Sequence, residues 1–127
     1  MFDVLTAARD ALADLAGVHT CKIGMESTLT PADYPIVRIV PTKLSESLPR
    51  LTVRKAECLI YFGVAVHEFD DGLEALYSQL MEREAQILGT LRALGTISVR
   101  HIETIMDEDR VDAFKLMALR VSLEGTA

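Results

Sequence analysis

Apolar residues near the start of the chain recur at the three- and four-residue spacing of a helix. Leu5, Ala8, Leu12 and Leu15 form one stripe, Val4 and Ala16 widen it, and Arg9, Asp10 and Asp14 lie opposite. Asp3 is placed to cap this helix and Gly17 to end it. The rhythm then shortens to a period of two, and "HTCKIGM", "PIVRIV" and the long run Thr52–Val66 read as three strands. Pro31 and Pro35 bracket "PADYP", a turn that delivers the chain into the second of them. A longer helical stripe follows at Leu73, Leu76, Leu80, Ile87, Leu91 and Leu94, broadened by Tyr77 and Leu88. Asp70 or Asp71 is its expected cap and Gly95 its stop. Gly89 within it costs roughly 1 kcal/mol relative to alanine, which close packing against a neighbour would explain. The segments "ISVRHIETI" and "AFKLMALRVSL", joined by the charged turn "MDEDRVD", make a closing hairpin. The order α-β-β-β-α-β-β predicts one α+β domain over residues 1–127, two helices on a mainly antiparallel sheet.

The third strand-like run is too long for that domain. Its residues would extend about 50 Å at strand rise. Cys58, Ile60, Phe62, Val64 and Val66 alternate as a core face, whereas Thr52, Arg54 and Ala56 precede them on the same side. The first half, together with "PTKLSESLPR" before it, therefore reads as a projecting β-hairpin arm over about 41–55 that orders against a partner. A solvated loop is the plain alternative. The arm carries Lys43, Leu44, Leu48, Arg50, Arg54 and Lys55 as candidate contacts.

The strands are also apolar on both sides. Met117, Leu119, Val121 and Leu123 share one face of the last strand, and Phe114, Leu116 and Ala118 the other; Leu59 and Tyr61 repeat this on the long strand. A sheet apolar on both faces needs both covered. Either the helices sit on opposite faces, or both sit on one and the other face is an interface containing Leu59, Tyr61, Phe114 and Leu116.

Composition narrows the function classes. The 127 residues are half apolar and a quarter charged, with a formal charge of −6, which is ordinary globular composition. Arg50, Arg54 and Lys55 are the only concentration of basic residues, so nucleic-acid binding is not the expected task. No run approaches the roughly 20 apolar residues of a membrane span. The N-terminal stretch lacks the basic region of a signal peptide, so a cytoplasmic location is expected. Cys21 and Cys58 lie in apolar runs and read as free thiols.

Candidate chemistry is sparse. His19 and Cys21 share one side of a strand, with His67, His101 or Cys58 as a conceivable third metal ligand, but none has the tight spacing of a zinc site. Asp107, Glu108 and Asp109 crowd a turn that reads as a solvated hairpin tip, with weak magnesium binding as the alternative. "KIGMES" and "HEFDDG" lack a phosphate-loop pattern. Tyr34 and Glu57 read as structural. No catalytic residue, cofactor or metal is expected, and the chain does not read as an enzyme.

In layout, the helix "DVLTAARDALADL", the strand "YPIVRIVPTK", the strand "CLIYFGVAV" leading into a long leucine-rich helix, and "ETIMDEDRVDAFKLMALRVSLE" resemble the tail terminator (tail completion) proteins of bacteriophages and prophages, of the minor tail protein U kind. That resemblance spans nearly the whole chain and implies a structural protein that forms a ring with itself, usually a hexamer. It also implies docking on the tail tube protein, an end to tube polymerisation and a face offered to the head–tail connector protein. DNA would pass through as cargo, no membrane is involved, and the site of action moves from the host cytoplasm to the virion. A neighbouring head–tail joining protein, or a cytoplasmic ligand-binding or regulatory domain dimeric through its sheet, is the alternative.

Overall fold

Five strands form one sheet in the order β1-β2-β3-β5-β4, seen in a computed structural model that describes residues 1–46, 53–66, 72–106 and 114–126. The strands are β1 (Thr20–Ile23), β2 (Ile36–Glu46), β3 (Val53–Ala65), β4 (Ser98–Met106) and β5 (Phe114–Thr126). The helices are α1 (Phe2–Ala13) and α2 (Leu73–Arg92), and a 3-10 turn spans Pro31–Asp33. The chain is thus α+β in the expected order. All neighbouring strands run antiparallel except β1 and β2, which are parallel. The connection between those two is long enough to carry the chain back across the sheet.

Register sorts the strand residues into two faces. Val37 and Ile39 of β2 stand beside Phe62 and Ile60 of β3, which stand beside Met117 and Leu119 of β5. Both helices pack on this face. Val4, Leu5, Ala8 and Leu12 of α1 join Leu76, Leu80, Ile87 and Leu91 of α2 in the same buried cluster as those strand residues. The Arg83 guanidinium of α2 lies 5.8 Å from the Phe62 ring centroid, and it donates to the Ala16 carbonyl just beyond α1. Gly17, with φ +85°, lies under that guanidinium, and any side chain there would collide with it.

Several local expectations change. α1 begins at Phe2 with Met1 as N-cap, so Asp3 sits in the first turn, where its carboxylate accepts the Val4 N–H at 3.1 Å and faces the positive end of the helix. Gly72 occupies the N-cap of α2, while Asp70 and Asp71 lie outside the described residues. Leu73 is exposed, so the buried stripe of α2 starts at Leu76. Gly89 is not closely packed: a methyl group there would meet nothing within 4 Å.

The hairpin joining β2 and β3 differs from a two-stranded arm. Its ladder does run past the core to Glu46–Arg54, with a bulge between Pro41 and Lys43. But β5 accompanies β3 along its whole length, from Ala65–Phe114 to Val53–Thr126, and β4 reaches Ser98–Glu124. Ala56 is fully buried. The reason lies in β5, whose Gly125 lets Val4 of α1 settle directly on the sheet; a Cβ there would lie 2.5 Å from Val4 Cγ2. Residues 47–52, which join the two strands, lie outside the described residues.

Candidate interaction surface

Among the described residues, the other face of the sheet has no helix on it. Its central row runs Arg38–Tyr61–Ala118–Ile105, and the next runs Val40–Leu59–Arg120–Glu103. Above them lie Ile36, Gly63 and Leu116, then Ala65 and Phe114. Leu59, Tyr61, Val40, Leu116 and Ala118 are each half-buried by their neighbours alone, and Ile105 is 51% exposed. Among the described residues, this apolar centre is therefore only partly covered.

One corner is closed by the connection between β1 and β2. Tyr34 lays its ring on Phe114, with centroids 4.2 Å apart. Gly63 makes this possible: a Cβ on it would lie 2.7 Å from Leu116 and 2.9 Å from both Ile36 and Tyr34. Beside this stack Arg38 is fully buried. Its Nε and Nη2 donate to the two carboxylate oxygens of Glu26 at 2.6 and 3.2 Å, and Nη1 donates to the carbonyls of Thr20 and Val37. The Arg38 hydrogen bond, chief among several contacts, holds the Glu26 carboxyl down at about 2. Asp33 accepts the Thr30 N–H at 2.8 Å, which fixes the turn that delivers Tyr34.

Charged residues surround the apolar centre. Lys22, Arg38, Lys43, Lys55, Arg100 and Arg120 share this face with Glu26, Glu57, Glu103 and Glu124, and Arg120 pairs with Glu103 at 3.1 Å. With Asp33 of the covering connection counted, the described charges on this face nearly balance, and the cation in excess, Arg38, is buried.

Of the candidate contacts read from sequence, Lys43, Lys55, Leu59, Tyr61, Phe114 and Leu116 come together on this face. Leu44 and Arg54 fall on the helix-side rows; Leu44 is 53% exposed, and Arg54 Nε meets no acceptor among the described residues. Leu48 and Arg50 lie outside the described residues. Sequence reasoning missed Ile105, Val40 and the Arg38–Glu26 corner. The one available signal for that corner was an arginine in the middle of the apolar strand "PIVRIV".

The thiols are poorly set for chemistry. Cys21 donates to the Arg9 carbonyl at 3.4 Å and Cys58 is buried in the core; burial pushes both up to about 11, so both stay protonated near neutrality. Among the described residues, no three of His, Cys, Asp and Glu gather into a possible metal site. Asp107, Glu108, Asp109 and His67 lie outside them. No helix among the described residues is long and apolar enough to cross a membrane. Comparison with family models and with curated proteins finds no match in either.

Proposed function

We propose that this protein is a structural, non-enzymatic subunit of a phage or prophage tail, which assembles with its own copies into a ring, caps the tail tube and joins it to the head connector. The observation that carries the reading is the sheet face left without a helix, with Leu59, Tyr61, Val40 and Ile105 at its centre. Two helices on one side give the domain a core, and an apolar patch on the other side is the signature of an interface. The resemblance in layout to tail terminators supplies the kind of assembly. The excess of acidic residues suits a channel through which DNA passes without being held. In this reading the subunit works in the host cytoplasm until it becomes part of the virion.

A ligand-binding domain is favoured less. The cleft lined by Gly17, Pro35, Phe62, Val64, Gln79 and Arg83 has a volume of about 220 Å³, below the roughly 300–1,000 Å³ typical of small-molecule sites, and the larger groove of about 580 Å³ beside Gly89 lies wide open to solvent.

The reading is tested by the genes on either side and by the tubes they make. Neighbours encoding a tail tube, a tape-measure protein and a head connector are expected, and the purified protein should shorten tubes when added to polymerising tube subunits. Metabolic or regulatory neighbours, or tubes of unchanged length, overturn it.

A further inference from the structure

Arg83 lines two depressions on the helix side of the molecule, and its guanidinium has no carboxylate partner among the described residues. The side chain reaches from α2 to the Ala16 carbonyl, and Nη1 also donates to Gln86 Oε1 at 3.0 Å. Nε and Nη2 have no acceptor among the described residues. The first depression is the cleft of about 220 Å³, walled by buried Phe62, Val64 and Leu80 and opening past exposed Gln79. The second is the groove of about 580 Å³ along α2, where Leu15, Gln86, Gly89 and Thr90 lie. Among the described residues no acidic side chain lines either one, although the chain as a whole carries −6.

We infer that this is a docking site for the end of another protein chain. The last side chain, large and apolar, enters the cleft, its terminal carboxylate pairs with Arg83, and the residues before it lie along the groove. This deepens the tail reading and rests on it for the partner, a tube or connector protein that ends in such a residue.

Size and charge together choose the occupant. A dry cavity of about 150 Å³ holds a benzene ring, so the cleft has room for one side chain and little more. The guanidinium lies only 5.8 Å from the Phe62 ring centroid, so the apolar group and the anion must sit close together. A terminal residue carries both on one Cα. An internal aspartate or glutamate beside an apolar residue does not, because neighbouring side chains of an extended chain point to opposite faces. Inorganic phosphate would pair with Arg83 but leave the apolar walls unused.

The groove suits the approach of the chain. Gly89 follows Arg83 by six residues, about 9 Å along the helix, which two or three residues of extended peptide cover. No packing within the described residues requires a glycine there, since a methyl group would meet nothing within 4 Å, and glycine weakens the helix. Main chain laid against α2 at that point supplies the missing reason. A shallow, open site is ordinary for an extended peptide end captured by its carboxylate.

The probe is an acetylated tetrapeptide of three alanines and a terminal phenylalanine, titrated into the full chain and followed by NMR. Binding with a dissociation constant of about 1 mM or tighter is expected, with shifts centred on Gly17, Val64, Arg83 and Gly89. Amidation of the terminal carboxylate should weaken binding about tenfold or more, and inorganic phosphate should not compete. Phenylacetate, which fills the cleft without a peptide, should bind about tenfold more weakly than the tetrapeptide. Gln79→Glu sets a carboxylate one helical turn before Arg83, where it occupies the guanidinium, and should weaken the peptide about tenfold. Its position is exposed, so the fold should persist, which circular dichroism checks. Gly89→Leu fills the groove and should weaken the tetrapeptide while leaving phenylacetate unchanged.

A peptide that fails to bind at about 10 mM overturns the inference. So does an amide that binds as well as the acid, or phosphate that displaces the peptide. Phenylacetate binding as tightly as the tetrapeptide would make this a site for a free acid and overturn the chain end as occupant. Unchanged peptide affinity in Gln79→Glu or in Gly89→Leu would put the peptide elsewhere and overturn it equally. Failure of the wider tail reading looks different: the peptide binds as expected, but tube length does not respond to the protein.

Discussion

Ile60 and Leu59 are consecutive residues of β3, alike in size and chemistry, yet they belong to different environments. Ile60 is fully buried under the helices between Ile39 and Leu119. Leu59 points the other way, half-buried between Val40 and Arg120. The first is held by its own subunit. The second is only partly covered among the described residues. An apolar side chain on a strand thus records that burial is needed, without recording by what.

The widest gap between the two faces should appear on truncation. Ile60→Ala removes packed atoms from a core with no room to relax and should destabilise by about 3 kcal/mol in urea unfolding. Leu59→Ala should cost about 1 kcal/mol or less in the isolated subunit. Equal losses at the two positions would mean that the open face is as closed as the core.

A smaller effect separates the covered corner of the open face from its centre. Gly63→Ala places a methyl group within 3 Å of Leu116, Ile36 and Tyr34 and should cost about 2 kcal/mol through overpacking. A neutral result would show that the Tyr34 ring lifts away freely.

The smallest expected effect is one of pH dependence. The Glu26 carboxyl, held down to about 2 mainly by Arg38, stabilises the fold above its ordinary pKa of 4.5. That contribution is lost as pH falls from there through about 2, because the unfolded chain takes up the proton first. Glu26→Gln should lower the melting temperature at neutral pH and flatten its fall between those limits. A variant with the wild-type acid profile would place the acid sensitivity elsewhere.

Periodicity carried much of the architecture. The stripes of α1 and α2 and the order of the five strands could be read because each element repeats its own spacing. The long β2–β3 hairpin was legible as a strand run too long for the core, but the strand that accompanies it was not, because β5, which places Leu123 beside buried Ala56, lies far along the chain. The parallel β1–β2 pair left no local mark, since pairing direction depends on the path of a connection rather than on the strands. On the open face, Leu59, Tyr61, Phe114 and Leu116 were legible as excess apolar residues. Ile105 was not, because the pattern of β4 is broken between His101 and Glu103 by a bulge that shifts its register.

That bulge has a counterpart between Pro41 and Lys43 of β2, in the stretch that runs beyond the end of β1. The two irregularities sit on the two lateral margins of the sheet, one margin additionally lacking an amide hydrogen at Pro41. A foreign strand laid along either margin would lose step with the backbone within a few residues. Growth of the sheet side by side into an endless ribbon is thereby disfavoured at both margins.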